Sequence, residues 1–236
     1  MKSDIFSNKK KVREMTLMAM FMAIIIVMGF VPFLGYITIV GTSVTLIHIP
    51  VLIGAVFLGR KGGIVLGLTF GLTSFFRAIT SVGTDYLFIF PWVSILPRFI
   101  FGLIIYDVYQ LFLKLIKSRL AALVISFVLL TLIHTLMVLP LMISAFPLAL
   151  GLESVSEVIA SGGSEGWDPI AFMQGTNTFS TAMKVITSIL VSNGIIEAAL
   201  AGSVGAVVAD RLIAIIKKEE KTTGDGTDGE NIAPID

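Results

Sequence analysis

The chain has 236 residues, of which 56% are hydrophobic and 14% charged, with a mean hydropathy of +0.96 and a formal net charge of +1. A soluble domain carries about 25% charged residues, and one core of this size cannot hide the surplus of apolar side chains, so composition excludes a soluble globular protein and specifies a polytopic membrane protein. The near-neutral balance gives no hold on nucleic acid, and the absence of cysteine excludes disulfides, Cys-based metal sites and thiol nucleophiles.

A spanning helix takes about 20 mostly apolar residues, and six candidates follow in chain order. The first, residues 15–33, comes after a basic start. That combination resembles a signal peptide, but the run is long enough to span and no small-residue cleavage site follows it, so it reads as a retained helix. The second, residues 47–58, is short and is expected to begin earlier, in the segment before it. The third covers residues 62–78, the fourth 91–115, the fifth 120–150 and the sixth 181–216. Residues 151–180 make the longest connection. The expected division is a cytoplasmic N-terminus over 1–14, a six-helix all-α integral membrane domain over 15–216, and a polar, disordered cytoplasmic tail over 217–236.

The chain carries 17 Lys and Arg. With six spans, all but three fall on one side: the N-terminal group, Arg60 and Lys61, Lys114 to Arg119, and the C-terminal group. The positive-inside rule makes that side the cytoplasm and places both termini there. The exceptions are Arg77, Arg98 and Lys184, which fall in the outer half. Arg98 lies inside an apolar run, seven residues after Pro91, or about 10 Å of helix. A charge at membrane depth costs at least ~2.5 kcal/mol on insertion scales and usually faces a cavity or a partner. Snorkelling to the headgroups is the simpler reading for Arg77, at a helix end. Three cations near one outer mouth suit an anionic ligand, most simply a carboxylate.

The sixth span carries Asn193 and Glu197, four apart and so on one helix face. Asn193 is a candidate hydrogen-bonding partner of the ligand. Glu197 reads as half of a structural pair with an Arg or Lys, and a pairing with Arg98 competes with the ligand role for that arginine. Between the first two spans lies "VPFLGYITIVGTSVTLIHIP". An apolar outer segment tucks inward rather than sitting in water, and so fits a lid. Its Tyr36 is a candidate ligand contact. So is His48, although a lone histidine more often serves packing. Tyr86, Phe88, Phe90 and Trp92 fit an interfacial aromatic belt, with Trp92 a candidate for the mouth of the site. Gly63, Gly67 and Gly71 follow a four-residue spacing that makes a smooth ridge for close helix contact. Ala19 and Ala23 make another small-residue step, for internal packing or for a partner.

No P-loop, H-E-x-x-H or nucleophile elbow occurs, and His48 and His134 fall in different helices without an obvious partnership. A small intramembrane enzyme is therefore the weaker reading. A stand-alone channel is weaker too, because the polar residues gather in the outer half while the inner halves are apolar. No cofactor or metal is called for.

The run "TLIHIPVLIGAVFLGRKGGIVLGLTFGLTSFFRA" followed by "PWVSILPRFIFGLI", with six helices and both ends inside, resembles the substrate-binding subunits, or S components, of energy-coupling factor vitamin transporters. Within that family the chain looks closest to the pantothenate-type subunit, with folate-, riboflavin- and pyrimidine-type relatives as near alternatives. The resemblance implies a bacterial cell-membrane protein that performs no chemistry itself. It implies a vitamin pocket near the outer surface, built from the first loop and the outer parts of the fourth to sixth helices. It also implies docking on a transmembrane coupling subunit (EcfT) and two ATPase subunits (EcfA and EcfA′), with Ala19 and Ala23 matching the family's Ala-x-x-x-Ala contact to the coupling subunit. For pantothenate, a monocarboxylate, Arg98 or Lys184 would hold the carboxylate and Asn193 the amide or a hydroxyl.

Overall fold

A computed structural model describes residues 2–31, 33–39, 42–81, 83–149 and 193–224. Helix α1 spans Lys2–Phe30 and so begins well before the expected boundary at residue 15. It ends before Pro32, whose ring supplies no N–H to continue the ladder. Phe33 beyond it has a positive φ of 64°, which turns the chain back toward the bundle.

The segment expected to extend the second span forms two short strands instead. β1 (Tyr36–Ile39) pairs antiparallel with β2 (Thr42–Thr45), with Tyr36 opposite Thr45 and Ile39 opposite Thr42. Alternating β-branched residues favour this pleated form over a helix. The described residues are thus largely helical apart from this ribbon, which tucks inward as expected: Tyr36 and Val44 are buried.

Helix α2 (His48–Ala78) is interrupted at Gly59, whose φ of 69° and ψ of −168° lie outside helical space. The chain folds back there. A side chain on Gly54 would strike Leu66, and one on Gly63 would reach the Ala55 Cβ at 3.2 Å, so residues 48–58 and 60–78 lie side by side. The first arm rises only about 16 Å, roughly half of a ~30 Å hydrocarbon core, and the β-ribbon sits above it in the chain. A positive φ is open to glycine at little cost, and the neighbouring Arg60 and Lys61 keep the turn in a polar setting.

A 3₁₀ segment (Gly83–Ile89) leads to α3 (Pro91–Ser94) and α4 (Leu96–Leu115), followed by α5 (Arg119–Ala149). The final helix, α6, is described over the span Asn193–Ile216; it contains a π-helical turn at Ala201–Gly205 and continues as Ala206–Gly224. The helix therefore runs past Lys217, where a disordered tail was expected. The run of Lys and Glu after Ile216 has good helix propensity, and lysines in the last turns favour the helix dipole. Among the described residues, five helices are long and apolar enough to cross a membrane, α2 counted once and α3–α4 taken together. The connection 151–180 and the expected start of the sixth span lie outside the described residues.

The core runs through all these helices, with Phe21, Leu52, Phe70, Phe101, Phe127 and Ala206 buried in one cluster. The Gly63–Gly67–Gly71 ridge packs directly on α4. A Cβ at Gly67 would collide with the Arg98 carbonyl oxygen and lie 3.0 Å from the Gly102 Cα; one at Gly71 would lie 2.9 Å from the Ile95 Cα. This is backbone-to-backbone packing of the kind small residues permit in membranes, and it fixes the height of Arg98. Two ion pairs clamp the end of the bundle away from the ribbon: Arg60 to Asp107 and Arg119 to Asp210, both at 2.7 Å.

Gly67→Ala is expected to destabilise the fold by about 1–3 kcal/mol, because overpacking forces α2 and α4 apart. The melting temperature of the purified protein in detergent measures it. An unchanged melting temperature would mean the two helices do not approach as closely as described.

Candidate functional site

The cluster at the ribbon end starts from a backbone defect. In a continuous helix the Val93 carbonyl would accept the N–H of residue 97. Residue 97 is proline and has none. The chain bends there, at the junction of α3 and α4, and the Arg98 guanidinium fills the gap: its Nη1 donates to the Val93 carbonyl at 2.6 Å. Arg98 is 3% exposed. Its guanidinium carbon lies 4.5 Å from the centre of the Phe88 ring and 5.3 Å from that of Phe70, within range of cation–π attraction. Its Nε has no hydrogen-bond partner. Among the described residues no carboxylate lies within 4.0 Å of this guanidinium.

The nearby acids are engaged elsewhere. Arg77 donates to Asp85 at 3.1 Å in an ion pair and lies 3.8 Å over the Tyr36 ring. Tyr36 shares a 2.8 Å hydrogen bond with Ser74. The Glu197 carboxylate accepts the backbone N–H of Thr45 at 2.5 Å. Glu197 thus lies within electrostatic reach of Arg98 without a direct ion pair to it among the described residues, and it anchors the ribbon: β2 ends there and offers an N–H that no third strand takes up.

The other expected site residues divide. His48 opens α2 and is fully buried. Asn193, one helical turn before Glu197, is half-buried at the start of the described part of α6. Trp92 is 40% exposed and lies against Phe90, with ring centres 5.0 Å apart, so it sits on the surface of the ribbon end rather than among the buried groups. Lys184 lies outside the described residues. Ala19 and Ala23 are exposed on α1, while Phe21 and Ile25 between and beyond them face the core. His134, which sequence reading left without a role, is buried with its ring 4.9 Å from Phe101 and 5.8 Å from Phe70. It lies within electrostatic reach of Arg98 and His48. Its only signal in the sequence was a polar ring in the middle of an apolar span.

A buried guanidinium with spare donor capacity, flanked by aromatic faces and lacking a carboxylate, suits an anion from outside the protein. The chain belongs to the family of substrate-specific components of ECF transporters, whose pattern matches residues 13–209. It is similar to a pantothenic acid transporter, PanT, of Lactococcus lactis subsp. cremoris, with 33% identity over 132 residues, 49% of this chain and 65% of the relative. It is also similar to a pantothenate transporter, PanT, of Leuconostoc mesenteroides, with 34% identity over 104 residues, 42% of this chain and 51% of the relative. The matches thus span between half and two thirds of those proteins' lengths. As a transporter's substrate-specific component, the chain is not itself an enzyme.

The link between Pro97 and Arg98 has a direct test in a double-mutant cycle. Arg98→Met alone leaves the Val93 carbonyl unpaired and is expected to cost about 1–3 kcal/mol of stability. In a Pro97→Ala background the restored N–H takes over, and the cost of Arg98→Met should fall. Equal costs in both backgrounds, measured by denaturation in detergent, would separate the arginine from the helix break.

Proposed function

We propose that the protein captures pantothenate from outside the cell in the cluster at the ribbon end, with Arg98 holding the ligand's carboxylate. The observation that carries this reading is the buried Arg98 guanidinium, held in place by one backbone bond and paired with no carboxylate among the described residues. The names of the two relatives support the choice of vitamin. Asn193 and, beyond the described residues, Lys184 are further contacts in this reading. Arg77 serves it indirectly, by fastening Tyr36 and Asp85 at the rim.

In this reading the chain crosses the membrane six times with both termini in the cytoplasm. The short first arm of α2 counts as a span together with the ribbon above it. The Arg60–Asp107 and Arg119–Asp210 pairs then lie on the cytoplasmic side, in keeping with the positive-inside rule. The exposed Ala19–Ala23 step on α1 is a surface for the transmembrane coupling subunit, and two ATPase subunits supply the energy for import.

Titration of the detergent-purified protein with pantothenate, folate, riboflavin and hydroxymethylpyrimidine tests the substrate. Pantothenate is expected to bind most tightly, with a change in tryptophan fluorescence. Tight binding of another of the four would overturn the choice of vitamin. Arg98→Met is expected to weaken pantothenate binding by about 2–5 kcal/mol, as loss of a desolvated charge pair does. Wild-type affinity in a folded Arg98→Met protein would remove the arginine from the site.

A further inference from the structure

The buried polar groups of this bundle fall into two kinds. Most buried hydroxyls are satisfied by the protein itself: Thr73 donates to the Thr69 carbonyl, Ser126 to Ala122 and Thr131 to Phe127, at 2.6–2.8 Å, and Ser74 pairs with Tyr36. This back-bonding is the usual solution for Ser and Thr in a span. The second kind has no internal solution. Among the described residues, the buried side-chain nitrogens without a hydrogen-bond partner are both ring nitrogens of His48, both of His134, and Nε of Arg98. They belong to three residues on α2, α5 and α4, of which His134 lies within electrostatic reach of both Arg98 and His48, while His48 also lies close to the backbone of Thr45 and Glu197. Phe70 links two of them, since both the Arg98 guanidinium and the His134 ring lie against it.

A packing role does not account for the histidines. His134 sits between Phe70 and Phe101, where a phenyl ring would pack as well. Leaving a polar group buried without a partner costs about 1–3 kcal/mol, and the His134 imidazole carries that cost at both ring nitrogens. Lipid supplies no partner at this depth. A neutral imidazole has one donor and one acceptor nitrogen, so the two rings together offer two of each. Arg98 supplies the charge in the same cluster and no acceptor. The set is thus divided into a cationic part and an uncharged part that both donates and accepts.

We infer that His48 and His134 form a second, uncharged recognition element, receiving the hydroxyl and amide groups of the ligand whose carboxylate Arg98 holds. This rests on the substrate reading above and deepens it. Pantothenate carries two hydroxyls and an amide, groups that also donate and accept. The pair thus confers selectivity for the uncharged end of the ligand, and Arg98 confers selectivity for its charge.

Calorimetric titration of the full chain with pantothenate and with pantothenol, in which an alcohol replaces the carboxylate, separates the two elements. Wild type is expected to prefer pantothenate, and Arg98→Met to erase that preference. His134→Phe is expected to weaken both ligands by about 10- to 100-fold while leaving their ratio unchanged. His134→Gln, which keeps a donor and an acceptor, should restore most of the loss. If His134→Phe does not fold, His48→Phe gives the same reading from the other ring. Unchanged pantothenate affinity in the folded phenylalanine variants would overturn the inference and make the histidines packing residues. A loss confined to pantothenate would also overturn it, because the ring would then act only through Arg98. Absence of pantothenate binding by the wild type would overturn the substrate reading itself, and this inference with it.

Discussion

The site depends on a carbonyl that its own helix cannot satisfy. Pro97 withholds the N–H that Val93 requires, and in the interior of a membrane protein no water stands ready to replace it. Arg98, the next residue, turns its guanidinium back and supplies the missing donor. One sequence step therefore does two things. It bends the chain at the α3–α4 junction, and it gives a buried cation a fixed position. The bond takes one donor of a group that carries five, so the arginine is held without being used up.

The rest of the bundle serves that position. The glycine ridge on α2 brings its backbone against the Arg98 carbonyl and Gly102, so the arginine's height cannot drift without parting two helices. Phe70 and Phe88 present ring faces to the guanidinium, and Phe70 also touches His134. The ribbon closes the same end by two independent anchors, Tyr36 to Ser74 and Thr45 to Glu197. The second anchor and a separate ion pair occupy the acids nearest Arg98: Glu197 is turned to a backbone N–H, and Asp85 is engaged by Arg77. The positive charge at the centre thereby feels Glu197 and Asp85 at a distance but has no direct ion pair among the described residues.

Much of this was legible in the sequence. Counting cations against the positive-inside rule singled out Arg98 and Arg77, because insertion energetics penalise charges in those places whatever the tertiary structure. The four-residue glycine spacing predicted a packing ridge, since that spacing aligns on one helix face by geometry alone. The ribbon was misread as the approach to a helix, although the alternation in "YITI" and the β-branched "TSVT" pointed to strands; overall hydropathy masked the local pattern. The partner of Glu197 was not legible, because a backbone N–H leaves no trace in a sequence. His134 was missed for a related reason. It lies far along the chain from His48, and only the packing of α5 against α2 and α4 brings the two rings and Arg98 together. The Pro97–Arg98 adjacency was visible throughout, but its meaning required knowing that the helix runs on through the bend.

The central claim is that the Arg98 guanidinium holds the ligand's carboxylate. Solid-state NMR on the lipid-reconstituted protein, with ¹⁵N-labelled arginine and pantothenate ¹³C-labelled at its carboxylate, measures that contact directly. The account predicts strong dephasing of the carboxylate signal by guanidinium nitrogen, as for N···O distances of about 2.7–2.9 Å, and its loss in Arg98→Met. Bound pantothenate whose carboxylate shows no dephasing from any arginine would contradict it.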